Sequence, residues 1–177
     1  MADPRIQIPG QKMHRDLERG FSFCRPIHWN QYEMEDPYGV IYYPEDDPRT
    51  GFCVIVQDLG EGLDQAITEA DLPDLRDGVW DGLRSLPDCE VLSEVEIAKE
   101  SAIGFEFLYT FSTDGERYKR CMRLLYKDCQ QFTIYGRGVP PEEYDVFANI
   151  FDWMYLTLTF GDLLKTLMAR YPDLPPA

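Results

Sequence analysis

The stretch GFSFCRPIHW, residues 20–29, brings a thiol, a guanidinium, an imidazole and an indole into ten residues. Two chemistries suit such a set. A cysteine within hydrogen-bond reach of a histidine is an activated nucleophile, and clustered Cys and His side chains ligate zinc. The spacing speaks against both. Cys24 and His28 stand four apart, as on a helical turn, but Pro26 lies between them and FSFCR alternates like a strand. The other imidazole is His14, and the five cysteines (Cys24, Cys53, Cys89, Cys121 and Cys129) form no pair with zinc-ligand spacing. With no nucleophile elbow or protease signature, the reading assigns no catalytic residue, no metal and no cofactor. The alternative is a small-ligand binder or enzyme working through the Cys24/His28 region, which requires the two side chains to converge.

Charge marks a second set of candidates. Residues 57–96 hold twelve acidic side chains against only Arg76 and Arg84, a net of −10 within a chain of net −15. Asp71, Asp74, Asp77 and Asp81 recur at helical spacing there, so they make either a docking face for a basic partner or the solvated side of an amphipathic helix. No Asp-x-Asp-x-Asp-Gly calcium loop accompanies them. Trp29 and Tyr32, just after Pro26, are candidates for a groove that takes an apolar helix. Tyr42 reads instead as core. Arg117, Lys119 and Arg123 line one face of a strand, where carboxylates on neighbouring strands would pair with them.

The elements that must position these residues follow from periodicity. Residues 1–19 read as a peripheral arm with a helical turn in MHRDLERG ending at Gly20. FSFCR is a first strand, with Phe21, Phe23 and Arg25 on one face and Ser22 and Cys24 on the other. YGVIYY and GFCVIVQ, separated by the turn segment PEDDPRT, read as antiparallel neighbours. From Gly62 to Pro87 the apolar period lengthens to three and four, which predicts helix, divided near Pro73. Alternation then returns in EVLSEVEIAKE and in SAIGFEFLYTF, with Phe105, Phe107, Tyr109 and Phe111 on one face. An Asp114–Gly115 hairpin leads into RYKRCMRLLYK and on to QQFTIYGRG, a meander. Cys121 is expected to pair near Tyr135. A helix opens at Pro140–Pro141 with Phe147, Ile150, Phe151, Met154 and Leu158 on its apolar stripe and ends near Gly161, before a last helix from Leu163 to Tyr171. This order is α+β, with a central, mainly antiparallel sheet and helices packed against it.

The composition bounds the class. A chain of 177 residues with 44% apolar and 14% aromatic side chains is long enough for one well-filled core. Its negative charge repels phosphate backbones and anionic lipid surfaces, so nucleic acid and membrane are not expected partners. The polar N-terminus lacks a signal-peptide pattern, so the scattered cysteines read as reduced thiols and the expected location is the cytoplasm.

The order of these elements, with Gly20, Phe21, Ser22, Phe23, Pro26 and Trp29, the GVIYY strand, the GFEFLYTF strand and the PPEEYD helix start, resembles the PsbP-like superfamily over roughly residues 20–160. The resemblance implies an α/β/α sandwich, with residues 1–19 as an arm and 161–177 as an added helix and tail. It also implies a non-catalytic role in binding another protein, as adaptor, chaperone or assembly factor. The expected partner is a protein that is basic or presents an apolar helix, with self-association into a homo-oligomer as a further possibility.

Overall fold

The computed structural model describes residues 10–35, 37–60, 67–99, 102–127 and 129–161. The expected last helix, Leu163 to Tyr171, lies outside them, as do residues 1–9 and most of the first turns expected after Gly62. Among the described residues, ten strands and two α-helices run in the order β1 (Gln11–Asp16), β2 (Phe21–Pro26), β3 (Asn30–Glu35), β4 (Tyr38–Tyr43), β5 (Gly51–Asp58), α1 (Leu72–Arg84), β6 (Glu90–Lys99), β7 (Ala102–Thr113), β8 (Glu116–Lys127), β9 (Gln130–Gly138), α2 (Pro141–Leu156) and β10 (Thr159–Phe160). A seven-stranded antiparallel sheet has the order β3-β4-β5-β9-β8-β7-β6, and a three-stranded sheet has the order β1-β2-β10.

Alternation decides what each face of the large sheet buries. On one face, Val40, Tyr42, Phe52, Val54, Val56, Phe132 and Ile134 pack with Phe21 and Phe23 of β2 and with Tyr144, Phe147, Ile150, Phe151 and Met154 of α2. On the other, Phe105, Phe107, Tyr109, Phe111, Leu124 and Tyr126 pack with Leu72 and Leu83 of α1. Burying each of these large side chains is worth about 2–3 kcal/mol, so the two clusters supply most of the drive to fold. The layers are α1, the seven-stranded sheet, then α2 with the small sheet, which is the expected sandwich with an added β layer.

Local chemistry explains the joints. Asp114 and Gly115 both have positive φ, 53° and 78°, as a two-residue hairpin of the expected Asp-Gly type requires. Asp71 accepts hydrogen bonds from the Thr68 backbone N–H and hydroxyl at 2.8 and 2.9 Å, closing the turn that leads into α1. Pro73 sits in the first turn of α1, where its missing N–H costs nothing. In α2, Glu142 and Glu143 occupy the first turn, favourable for the helix dipole.

Several expectations change. MHRDLERG makes no helical turn: Gln11–Asp16 is a strand paired along its length with β2, and a turn follows. Only Met13, Leu17 and scattered charges mark that segment, so an edge strand with one polar side left little periodicity to read. Helix α2 ends at Leu156 rather than near Gly161, because Thr159–Phe160 returns to an extended course beside Phe21 and Ser22. Leu158 is therefore outside the helix, although it still packs on the core. In the meander Cys121 pairs with Gly136, next to Tyr135 as expected.

Candidate functional site

The GFSFCRPIHW stretch is distributed over both sides of β2 and the turn after it. Cys24 is half-buried, and its backbone N–H donates to the Thr157 hydroxyl at 3.0 Å. His28 is exposed on the turn after β2. The two side chains share no hydrogen bond, so no thiol–imidazole pair is assembled. Among the described residues no cluster of three His, Cys, Asp or Glu side chains is arranged to hold a metal. The buried thiols are driven away from reactivity: burial pushes Cys53 and Cys121 up to about 11. Trp29 packs edge-on against Phe147 and Phe151 at 5.8 and 6.1 Å, joining the turn to α2 rather than lining a groove.

The acidic candidates lie on α1 and at its start. Leu72, Leu75, Val79, Trp80 and Leu83 face the sheet, and Asp74, Asp77 and Asp81 are exposed on the helix, with Asp71 exposed at its entry. Their roles differ. Asp71 closes the turn before the helix, and its carboxyl is held below the ordinary range by the Thr68 N–H and then the Thr68 hydroxyl. Asp81 pairs with Arg84 at 3.1 Å. Asp74 and Asp77 make no ion pair among the described residues. The other cation of this helix, Arg76, forks onto Glu94 of β6 at 2.5 and 2.9 Å, and Trp80 Nε1 donates to the same carboxylate at 3.3 Å. Glu94 thus ties α1 to the edge strand and consumes the local positive charge. The outer face of the helix keeps its negative field.

Tyr32 belongs to the other end of the same sheet side. Its register partner is Ile41, and Met34 pairs with Gly39. Gly39 lets the Met34 side chain lie across it: a Cβ there would come within 2.5 Å of the Met34 methyl, which would have to swing aside. Tyr32 is 57% exposed, while Met34, Ile41, Tyr43 and Ile55 are half-buried around it. Because α1 packs over β7 and β8, this half of the sheet carries an apolar and aromatic row with no helix in contact among the described residues.

The basic row of β8 finds carboxylates, but only one of them, Glu106, on a neighbouring strand. Arg123 is nearly buried between Glu106 of β7 (2.5 Å) and Asp152 of α2 (3.0 Å) and lies over the Tyr155 ring. Lys119 reaches Asp145 at 2.6 Å, and Arg117 reaches Glu90 at 3.7 Å. These cations hold α2 and β6 to the sheet.

Two residues that composition did not single out are placed together on the opposite side. His14 of β1 and Arg25 of β2 both point at Tyr42. The Tyr42 hydroxyl donates to Gln31 Oε1 at 2.6 Å, so its oxygen accepts from His14 Nδ1–H at 2.8 Å. That sets the tautomer of a neutral His14 and leaves Nε2 buried with no partner. Burial is the main cause that lowers His14 below 6.5, against the raising effect of Asp16 and Glu33. Burial likewise lifts the Tyr42 phenol to about 12. The available signal was an arginine on the phenylalanine face of FSFCR. A buried guanidinium among aromatic rings is costly unless something faces it.

No protein-family model and no curated protein sequence matches the chain. Solved structures do match. The cyanobacterial PsbP protein CyanoP from Synechocystis superposes with a TM-score of 0.64 at 12% identity, over 88% of this chain and 95% of that one. The fold is PsbP-like. LpqN of Mycobacterium tuberculosis, described as involved in cell envelope biogenesis, matches with a TM-score of 0.57 at 11% identity, over 86% of this chain and 91% of its own. The Ran-binding protein Mog1p of Saccharomyces cerevisiae matches at 0.55 and 10% identity, over 88% and 97%. At such identities the likeness is one of backbone course, and the side chains that bind in one protein do not carry over to another.

Proposed function

We propose that this PsbP-like chain is a non-catalytic, protein-binding domain that docks a basic partner on the α1 side of its large sheet. The observation that carries the reading is the pairing of two features on that side. One is the α1 surface bearing Asp74, Asp77 and Asp81, where Arg84 offsets only Asp81. The other is the half-buried row Met34, Ile41, Tyr43 and Ile55 around exposed Tyr32. Aromatic anchors with charge at the periphery are what a protein interface needs, since the apolar part holds and the charges steer. The Ran-binding description of Mog1p adds support by analogy, because that protein of the same fold works through a protein partner. A cytoplasmic adaptor, chaperone or assembly role fits this reading.

The test is affinity capture with crosslinking from the native host, comparing the wild type with an Asp74→Lys/Asp77→Lys/Asp81→Lys variant and with Tyr32→Ala. The expected result is a defined partner crosslinked to α1 or β3, lost with the triple reversal and weakened by Tyr32→Ala. Reversal of Glu45 and Asp46, exposed in the β4–β5 turn, should leave capture intact. Equal capture by the wild type and the triple variant overturns the assignment of the acidic face. Light scattering that finds a stable homo-oligomer closed through the Tyr32 row would replace the partner by a second copy.

A further inference from the structure

We infer that the cleft between β1, β2, β3 and β4 is a binding site for a small oxyanion, a phosphate or carboxylate group on a soluble molecule. It has a volume of about 250 Å³ and is lined by Lys12, His14, Arg25, Gln31, Glu33 and Tyr42, with Met13 and Arg15 at its rim. Three observations lead there, none of them used by the acidic docking side.

Arg25 is only 9% exposed. Its Nη1 donates to the neighbouring Pro26 carbonyl at 3.1 Å, and its guanidinium lies over the Tyr42 ring at 4.7 Å and beside the Tyr42 hydroxyl. Among the described residues no carboxylate stands within ion-pair distance of it. A buried guanidinium with most of its five donors unspent is strongly selective for an oxyanion that can accept two of them at once.

Lys12 is the direct register partner of Arg25 across the β1–β2 ladder. Opposed residues on antiparallel strands share a face, and like charges so placed repel. Lys12 also makes no ion pair with a described residue. A chain with nearly twice as many acidic as basic side chains thus sets two cations against each other at one cleft, a placement that an anion between them would turn from repulsion into attraction.

The remaining wall supplies orientation rather than opposing charge. The Tyr42 hydroxyl and Gln31 are locked by their mutual hydrogen bond and by His14. The Glu33 carboxylate, the one acid of the cleft, accepts from Gln31 Nε2 at 2.5 Å and does not reach Arg25. Lys12 and Arg25 outnumber Glu33 among the described residues that face the cleft, on a chain of net −15. The volume suits a phosphate or short dicarboxylate.

The test is titration of the full chain at constant ionic strength with inorganic phosphate and, separately, succinate, each against sodium chloride. Binding is read by calorimetry and by amide shifts in β1–β4. Saturable binding of either anion is expected, with shifts centred on Lys12, His14 and Arg25. Lys12→Gln, at an exposed strand position that does not threaten folding, should weaken it roughly fivefold. Arg25→Gln should abolish it, and Arg25→Lys, which keeps the charge and loses the fork, should fall between. Two results overturn the site: no saturable response to either anion beyond that of chloride, or binding that Lys12→Gln and Arg25→Lys leave unchanged. Loss of the acidic-face partner in the Asp74/Asp77/Asp81 variant with anion binding intact would separate this site from the docking reading.

Discussion

His14 carries the chain's clearest pH dependence. In the folded state it is a neutral acceptor–donor wedged among Phe21, Phe23 and Tyr42, with burial as the largest cause of its lowered pKa. As pH falls through 6.5, the unfolded chain takes up a proton that the folded chain refuses until lower pH. Stability contributed by a neutral His14 is therefore present above 6.5 and is lost as pH drops from there to the folded-state value. The comparison that isolates this among many carboxylates is wild type against His14→Gln. The gap in melting temperature should shrink between pH 7.5 and pH 5; a gap that stays constant would show that folding leaves the His14 pKa unshifted, and one that widens would show a charged His14 in the fold. This residue was present in the sequence as one of two histidines, yet its role was not legible. Its partner Tyr42 is 28 positions away, and only the layering of β1 over β4 brings them to 2.8 Å. The Cys24/His28 pair, four apart, is separated by the same layering logic.

At the scale of elements, α2 is held to the sheet by shape as much as by apolar area. Gly136 of β9 lies directly beneath the Phe151 ring, and a Cβ there would come within 2.6 Å of it. Phe151 is fully buried and packed against Trp29, Tyr144 and Phe147, so it has nowhere to move. Gly136→Ala should destabilise the domain by about 1–3 kcal/mol, read as a lower urea midpoint with little change in slope. A neutral outcome would mean that α2 slides freely on β9. Strands β2 and β4 to β9, the Asp114–Gly115 hairpin and the Pro140–Pro141 helix start were legible because each carries its own local signal, whereas the polar edge strands β1 and β3 carry none. The two-residue strand β10 was not, since Thr159–Phe160 is extended only because β2 offers it a partner.

For the whole molecule, charge is the dominant field. With a net of −15, the compact state works against its own repulsion, most strongly around α1, and salt screens that repulsion over about 8–10 Å. Raising sodium chloride from 20 to 300 mM should raise the melting temperature of the wild type and raise it less in the Asp74→Lys/Asp77→Lys/Asp81→Lys variant. An equal response in both would locate the repulsion elsewhere. What the sequence determined by itself was the class and the order of the main elements, β1, β3 and β10 apart, because period-two and period-three-to-four patterns, turn dipeptides and helix starts act over neighbouring residues. It also marked α1 as the acidic helix and Tyr42 as core. What only the tertiary structure decided was which polar residues meet. Arg25 facing Lys12, His14 against Tyr42, and Arg123 between Glu106 and Asp152 depend on strand register and on which layer covers which face. Those are set by the sum of many weak contacts across the chain, and no local pattern records them.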